Sequence, residues 1–210
     1  LHVIVALDRA GLVANDGATH HGIFDTAYIS EIPNVTFYAP NSFESLEECF
    51  DKAIEAKGPV VIRYPKAVDT ENAGGIKCDG FEYTDIGDNC KRAIISYGRL
   101  AENALNAAKI CGNTRVLTLT RLAPLPTDDI FDALKEMDNI LFAEEGIKIG
   151  GIAQQIASAM AENGLLKNKK FAIKAIDGIF PQHGSNKQLL EELQLSPEAI
   201  AKALDELCRE

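Results

Sequence analysis

Short apolar runs alternate along the chain with longer segments in which apolar residues recur at helical spacing. Phe43, Leu46 and Phe50 follow one another at intervals of three and four residues, which predicts an amphipathic helix that Asn41 or Ser42 can cap. The runs between such segments are short and rich in β-branched residues, as is typical of buried strands. This alternation predicts an α/β fold with a mainly parallel sheet.

The predicted elements form two series. Strands are predicted at residues 2–7, 35–39, 59–64, 92–97, 114–120, 139–143 and 171–176. Helices are predicted at residues 24–31, 43–56, 100–111, 128–136, 151–163 and 197–208, and Thr127 is expected to cap the fourth of them. Between the two series the pattern weakens, with several glycines and mixed charge. We therefore predict half a domain over residues 1–66, a linker with at most one short strand over residues 67–89, and a complete small α/β domain over residues 90–210.

The first residues already form an apolar run, Leu1 to Leu7, that predicts a buried strand, and the chain has no initiator Met. We expect the chain to be a piece of a longer protein. A sheet that is cut in mid-domain leaves an unpaired edge and uncovered apolar surface. Residues 1–66 are therefore expected to be disordered, degraded or paired with another molecule unless the rest of that domain is supplied.

Composition narrows the classes of partner. The chain has 21 basic and 31 acidic side chains, and its formal net charge of −10 argues against nucleic acid and anionic membranes as main partners. No apolar run approaches the roughly 18 to 20 residues that a membrane helix needs. The five cysteines are widely spaced and form no C-x-x-C pair. Neither a disulfide framework nor a zinc site is expected, and a cytoplasmic location fits best.

One polar loop concentrates residue types that bind and transform small anions. It runs from Asp8 to Gly22 after the first predicted strand, and α/β folds place ligands at the carboxyl ends of parallel strands. Arg9 suits bidentate capture of a phosphate or carboxylate. His20 belongs to the residue type best suited to proton transfer near neutral pH. The alternative interpretation is a solvated loop whose acidic residues only cap turns.

Two further sets of residues in this region have side chains that could bind a metal ion or an anion. Asp16, His20 and His21 are metal-ligand types, but adjacent histidines rarely reach one ion and no third ligand is close in sequence, so no metal site is expected. Arg63 ends a predicted strand, where it can reach the same crevice as Arg9. The alternative for Arg63 is an ion pair at the surface.

Two motifs of the second series are less specific. The segment His183–Gly184–Ser185 favours a turn in which Ser185 or Asn186 caps the next helix over a part in a site or a domain interface. The pair Glu144–Glu145, which precedes Gly150–Gly151, is a weak candidate for an anion-binding loop. A tight turn with packing of a helix on the sheet is the favoured interpretation.

Several of these motifs together resemble a known family. The loop resembles the signature loop of 1-deoxy-D-xylulose-5-phosphate synthases, which are thiamine-diphosphate enzymes of the transketolase type. The residues that carry this resemblance are Asp8-Arg9-Ala10-Gly11-Leu12-Val13, Asp16-Gly17-Ala18-Thr19-His20, Arg63-Tyr64-Pro65-Lys66 and Phe180-Pro181-Gln182-His183-Gly184-Ser185. The resemblance implies a partial pyrimidine-binding domain followed by a transketolase carboxy-terminal domain. It also implies that the main site for thiamine diphosphate and Mg²⁺ lies outside this chain.

The resemblance further implies a reaction. Enzymes of this family condense pyruvate, after its decarboxylation, with D-glyceraldehyde 3-phosphate, and the product feeds isoprenoid, thiamine and pyridoxal biosynthesis. Arg9 and Arg63 would hold the phosphate of the aldehyde, and His20 and Asp16 would line the reacting centre as catalytic residues. A homodimer is implied, and this chain alone would be inactive.

Two alternatives stay open. Ala14, His21 and Gly146 depart from the pattern of that family, which leaves room for a transketolase-like enzyme with another aldehyde acceptor. The second alternative is a non-catalytic α/β module that mediates subunit contacts. The loop from Asp8 to His20 distinguishes them, because an interface module has no need for its charged and imidazole side chains at the mouth of a crevice.

Overall fold

The structure is a computed structural model that describes residues 1–66 and 75–209. The strands are β1 Ile4–Leu7, β2 Thr36–Tyr38, β3 Val60–Arg63, β4 Ile76–Cys78, β5 Phe81–Ile86, β6 Arg92–Tyr97, β7 Thr114–Leu119, β8 Arg121–Ala123, β9 Asn139–Ile147 and β10 Lys170–Ile176. The helices are α1 Asp25–Ile29, α2 Phe43–Glu55, α3 Leu100–Cys111, α4 Thr127–Ala133, α5 Ile152–Glu162, α6 Asn186–Glu192 and α7 Pro197–Arg209, with a 3-10 turn at Ala18–His20.

The described strands form two sheets. The first has the order β1-β3-β2-β8, in which β1, β3 and β2 are parallel and β8 is antiparallel to β2. The second has the order β10-β9-β6-β7-β5-β4. Its strands β10, β9, β6 and β7 are parallel, and β5 and β4 continue the sheet in antiparallel pairing. The predicted α/β fold with mainly parallel sheets is confirmed.

The stretch predicted as a linker contributes two strands to the second sheet. β5 pairs with β7 along its whole length, from Phe81 opposite Leu119 to Ile86 opposite Thr114. The Phe81 side chain is buried in the core. The pattern concealed this strand because it mixes polar and apolar residues and lies between glycines, which favour turns. Residues 67–74 of the expected linker lie outside the described residues.

The two lobes share a sheet and a core. β8 comes from the second lobe, and it places Ala123 opposite Phe37 of the first lobe. The N–H of Ala39 also donates to the Thr120 carbonyl at 2.8 Å. One buried apolar cluster extends from Phe37 in the first lobe to Tyr97 and other residues of the second. The arrangement fixes the end of β3 against the end of β6, which is where the candidate site lies.

Local sequence accounts for the helix starts. Ser42 caps α2 through a reciprocal pair of bonds with Ser45, at 3.1 Å and 2.9 Å, as predicted. Ser185 caps α6 in the same way with Gln188, which confirms the predicted turn. Thr127 was expected to cap α4 but is its first helical residue, because Pro126 occupies the capping position. Throughout the described residues, every helix is too short or too polar to span a bilayer.

Candidate functional site

The polar loop after β1 is closed at its base by backbone hydrogen bonds. The N–H of Gly11 donates to the Gly22 carbonyl and the N–H of Gly22 to the Gly11 carbonyl, both at 2.8 Å. The Ala10 N–H donates to the Tyr64 carbonyl at 3.0 Å, which ties this neck to the end of β3. Arg9 has a φ of 60°, in the left-handed region that residues with a side chain rarely adopt. Such conformations cluster at functional sites.

The neck requires a glycine at position 22. A Cβ atom on Gly22 would lie 2.7 Å from the backbone oxygen of Arg9. We predict that Gly22→Ala lowers the free energy of unfolding by about 1–3 kcal/mol, measured by urea titration. Gly184→Ala is the matched control, because the nearest atoms to its Cβ lie 3.5 Å away. Equal losses in the two variants would contradict the close approach of the two strands of the neck.

Three of the predicted site residues lie on the open side of the loop. The Arg9 side chain is 47% exposed. His20 is also exposed, and its Nδ1 lies 3.2 Å from Thr19 Oγ1. Asp16 Oδ2 lies 3.4 Å from Lys66 Nζ, and the Lys66 side chain is 56% exposed. The structure therefore brings the loop together with the segment that follows β3.

Arg63 lies beneath the loop rather than on its open side. Its side chain is only 4% exposed, and its Nε donates to Asp25 Oδ2 at 2.8 Å. Its Nη2 donates to Asp25 Oδ1 at 3.3 Å and to the Gly22 carbonyl at 3.2 Å. Burial by itself lowers the pKa of Arg63, but Asp25, Tyr97 and Glu145 together raise it above its usual value, so the guanidinium stays charged. The ion pair weighed as an alternative is present, but it is buried and not at the surface.

Glu144 and Glu145 lie within β9, where we expected a turn. Both side chains are buried. Arg99 donates to both oxygens of Glu145, with Nε at 2.9 Å from Oε2 and Nη2 bonded to Oε1. Glu145 Oε1 accepts from the Leu12 N–H at 3.0 Å, and Arg99 Nη2 donates to the Leu12 carbonyl at 2.7 Å. The Arg99–Glu145 ion pair of the second lobe therefore binds both the N–H and the carbonyl of Leu12 in the loop.

Glu144 has a different set of partners. Its Oε2 accepts from the Tyr97 hydroxyl at 2.9 Å and from the Ile152 N–H at 3.2 Å, and its Oε1 accepts from the Ala153 N–H at 3.2 Å. Burial raises the pKa of Glu144 to about 7, although these three hydrogen bonds act to lower it. Burial also raises the pKa of Tyr97, and the neighbouring Glu144 adds to that rise. The carboxyl therefore links α5 to the end of β6.

His21 is the second contact between the loop and the second lobe. Its side chain is buried, its Nδ1 accepts from the Val13 N–H at 2.9 Å, and its Nε2 lies 3.2 Å from the Gln182 carbonyl oxygen. The Asn15 N–H donates to the Gly184 carbonyl at 3.0 Å. The segment around His183 therefore contributes to a domain interface through its backbone. Across residues 1–66 and 75–209, no group of three or more His, Cys, Asp or Glu side chains is arranged to hold a metal ion.

Comparison with known proteins assigns the family. The family model of the transketolase C-terminal domain matches residues 86–200, and that of the transketolase pyrimidine-binding domain matches residues 1–68. The chain belongs to the transketolase family. Within this family, the resemblance to 1-deoxy-D-xylulose-5-phosphate synthases is confirmed by a set of curated relatives.

Three relatives illustrate the match of this transketolase-family chain. It is similar to the 1-deoxy-D-xylulose-5-phosphate synthases of Lawsonia intracellularis (31% identity over 97% of the chain and 33% of the relative), Thermus thermophilus (32%, 97% and 33%) and Clostridium tetani (30%, 99% and 34%). The chain spans about a third of the length of these relatives. Among solved structures, "Split gene transketolase, inactive beta4 tetramer" superposes with a TM-score of 0.80 over 99% of this chain and 67% of that one, at 24% identity. This likeness supports the fold.

Sequence reasoning located the loop of this transketolase-family chain but missed the residues that hold it. Arg99 carried no recognisable signal, and the sequence marked His21 only as a metal-ligand type and as a departure from the family pattern. Glu145 offered a signal that could have been used. Two consecutive acids continue the apolar run of β9, and carboxylates at buried strand positions require charged or hydrogen-bonding partners. Lys66 was part of a quoted motif without an assigned role.

Proposed function

We propose that the chain is part of a 1-deoxy-D-xylulose-5-phosphate synthase, which condenses decarboxylated pyruvate with D-glyceraldehyde 3-phosphate. The supporting observation is the loop that presents Arg9, Asp16 and His20 at its surface and brings Asp16 to Lys66, which follows β3. The curated relatives that carry this name support the same assignment. The proposal includes a cytoplasmic location, a homodimer, and a product that feeds isoprenoid, thiamine and pyridoxal biosynthesis.

Two exposed cations suit the phosphate of the aldehyde. Arg9 follows β1 and Lys66 follows the parallel neighbour β3, so a dianion between the two strand ends meets a guanidinium and an ammonium group. Lys66 lies within 3.4 Å of Asp16 and can exchange that carboxylate for the phosphate. The phosphate role of Arg63 stays a prediction, and it requires Asp25 to release the guanidinium first.

His20 and Asp16 are the proposed catalytic residues. A histidine on the open side of the loop can donate a proton to, or accept one from, an oxygen of the substrate. Its Nδ1 lies beside Thr19 Oγ1, which leaves Nε2 as the ring nitrogen for substrate. Asp16 can orient a substrate hydroxyl by accepting its hydrogen bond. Both residues lie on the segment that the second lobe holds at Asn15 and His21.

Among the described residues, the buried carboxylates beneath the loop are already bound to protein donors. Arg63 pairs with Asp25, and Arg99 pairs with Glu145. Glu144 accepts hydrogen bonds from Tyr97 and from the start of α5. These buried carboxylates therefore face protein donors. In the parts of the chain that the structure describes, no acidic cluster suits Mg²⁺. The relatives are about three times as long as this chain. We propose that thiamine diphosphate and Mg²⁺ bind to the remaining part of the enzyme and that this chain alone has no turnover.

The test uses the complete gene product that carries this sequence. It is assayed with thiamine diphosphate, Mg²⁺, pyruvate and D-glyceraldehyde 3-phosphate, and the expected result is carbon dioxide together with a deoxyketose phosphate. Carbon dioxide without the sugar would favour a transketolase-like enzyme with another acceptor. A folded protein that does not consume pyruvate would contradict the proposal and favour the non-catalytic interaction module.

Variants of the same protein separate the two roles. Lys66→Ala and Arg9→Ala are expected to raise KM for the aldehyde by about 10- to 100-fold, because each removes a charge-assisted hydrogen bond. His20→Ala is expected to lower kcat by about 100-fold or more. Lys57→Ala, which removes an exposed cation away from the loop, is the matched control. An unchanged KM in Lys66→Ala would exclude Lys66 from phosphate binding, and full turnover in His20→Ala would remove His20 from the mechanism.

A further inference from the structure

The second lobe contacts the loop on both sides, in sequence, of the proposed catalytic residues Asp16 and His20. Leu12 is held by the Arg99–Glu145 pair, and Asn15 is held by the Gly184 carbonyl immediately before Asp16. His21 follows His20 and reaches across to Gln182. The segment between Asn15 and His21 is partly or fully exposed. The positions of Asp16 and His20 therefore depend on neighbours that are bound to the other lobe.

Apolar packing anchors both ends of the loop but not its middle. Leu12 and Ile23 lie in one buried cluster with Ile176 and Leu189 of the second lobe. Between them, the described structure has a single 3-10 turn, Ala18–His20, without a side-chain cap. Burial of the ends fixes where the loop begins and ends. The course of the residues between them has to come from directed polar contacts.

We propose that His21 is a positioning residue, and that its neutral ring, with the proton on Nε2, joins the loop backbone to the second lobe. The Val13 N–H is a donor, so the ring nitrogen that faces it, Nδ1, must carry a lone pair. The Gln182 carbonyl is an acceptor, so Nε2 must carry the proton. The doubly protonated ring has no acceptor and would place two N–H groups against each other at Val13.

His21 has a structural part and a catalytic part to play. The structural part, that His21 holds the loop to the second lobe, stands on the geometry alone. The catalytic part, that His21 places Asp16 and His20 for substrate, rests on the proposed function. A test that needs no turnover keeps the two separate, because inactivity of the complete protein would contradict the proposed function and leave the structural part unaffected.

The first test measures the tautomer in the complete, unaltered protein that carries this sequence. Long-range ¹H–¹⁵N correlation spectra of the histidine side chains are expected to show an unprotonated Nδ1 and a protonated Nε2 for His21 at neutral pH. The opposite tautomer or a doubly protonated ring would overturn the proposal. This measurement requires no substitution and decides the question even where a His21 variant does not fold.

The second test measures hydrogen exchange of the Val13 amide. His21→Ala is expected to speed this exchange by roughly tenfold, since one backbone hydrogen bond to the ring is lost. His21→Asn is expected to restore most of the protection, because the Asn Oδ1 occupies the place of Nδ1 and accepts the same bond. His183→Ala, in the exposed neighbouring motif, should leave the rate unchanged.

Two results of the exchange experiment would overturn the proposal. One is an unchanged Val13 rate in His21→Ala. The other is equal loss of protection in His21→Asn and His21→Ala, which would show that the bulk of the ring and not its acceptor nitrogen holds the loop. Slow exchange in wild type and His21→Asn, with fast exchange in His21→Ala, supports it.

Discussion

Replacing Arg63 by alanine is expected to lower the free energy of unfolding by about 3–5 kcal/mol. The substitution leaves the Asp25 carboxylate buried without its cation, and it removes the donor that Arg63 gives to the Gly22 carbonyl at the neck of the loop. An unpaired charge in this environment costs far more than a lost surface contact. The loss is measured by urea titration of the complete protein that carries this sequence and compared with wild type.

The matched control for Arg63 is an ion pair at the surface. Lys148 Nζ lies 2.8 Å from Asp177 Oδ2, but the two side chains are 39% and 56% exposed. Lys148→Ala is expected to cost less than about 1 kcal/mol, because solvent screens the pair. A loss from Arg63→Ala no larger than that of the control would contradict the buried pair. It would then favour the alternative in which Arg63 is available to a phosphate.

The second large effect concerns Glu144 and pH. The pKa of its buried carboxyl is raised from 4.5 to about 7, so between these values the folded state binds more protons than the unfolded state. The contribution of Glu144 to stability is therefore greatest in acid and is lost as pH rises from about 4.5 to about 7. The difference amounts to about 3 kcal/mol, at about 1.4 kcal/mol for each pKa unit.

Glu144→Gln isolates this contribution, because the amide does not titrate. The free energy of unfolding is measured for wild type and variant between about pH 4.5 and about pH 8. The difference between them is expected to shift in favour of the variant by about 3 kcal/mol as pH rises, whatever constant offset the new amide introduces. Glu136→Gln is the control, since that side chain is 71% exposed. A difference that does not change with pH would show that Glu144 ionises as an ordinary carboxyl.

Local patterns in the sequence predicted the elements whose formation depends on residues that are near one another in the chain. The cap of α2 at Ser42 follows from a hydroxyl residue placed before an amphipathic run, and the mainly parallel sheets follow from the alternation of strand and helix. The loop was recognised for a similar reason. Its charged and imidazole residues are close together in sequence, and it follows a predicted strand, where α/β folds place ligands.

Contacts between distant residues could not be predicted in the same way. Arg63 and Asp25 are 38 positions apart in sequence. Whether Arg63 is available to a phosphate or is held in a buried ion pair depends on which side chain packs against β3. Arg99 and Glu145 are 46 positions apart, and their link to Leu12 crosses from one lobe to the other. β5 was missed because its alternation is weak and its identity as a strand comes from the partner β7.

The strand β8 has a consequence for how separable the two domains are. It belongs by sequence to the second lobe, yet its hydrogen bonds complete the sheet of the first, beside Phe37 and Tyr38. A chimera could join this pyrimidine-binding segment to the carboxy-terminal domain of another transketolase. The junction would interrupt neither domain in sequence, but the foreign domain would replace β8, the edge strand of the first sheet. Such a chimera is expected to fold only where the incoming domain brings a strand that fits that edge, because β2 would otherwise expose unpaired backbone groups.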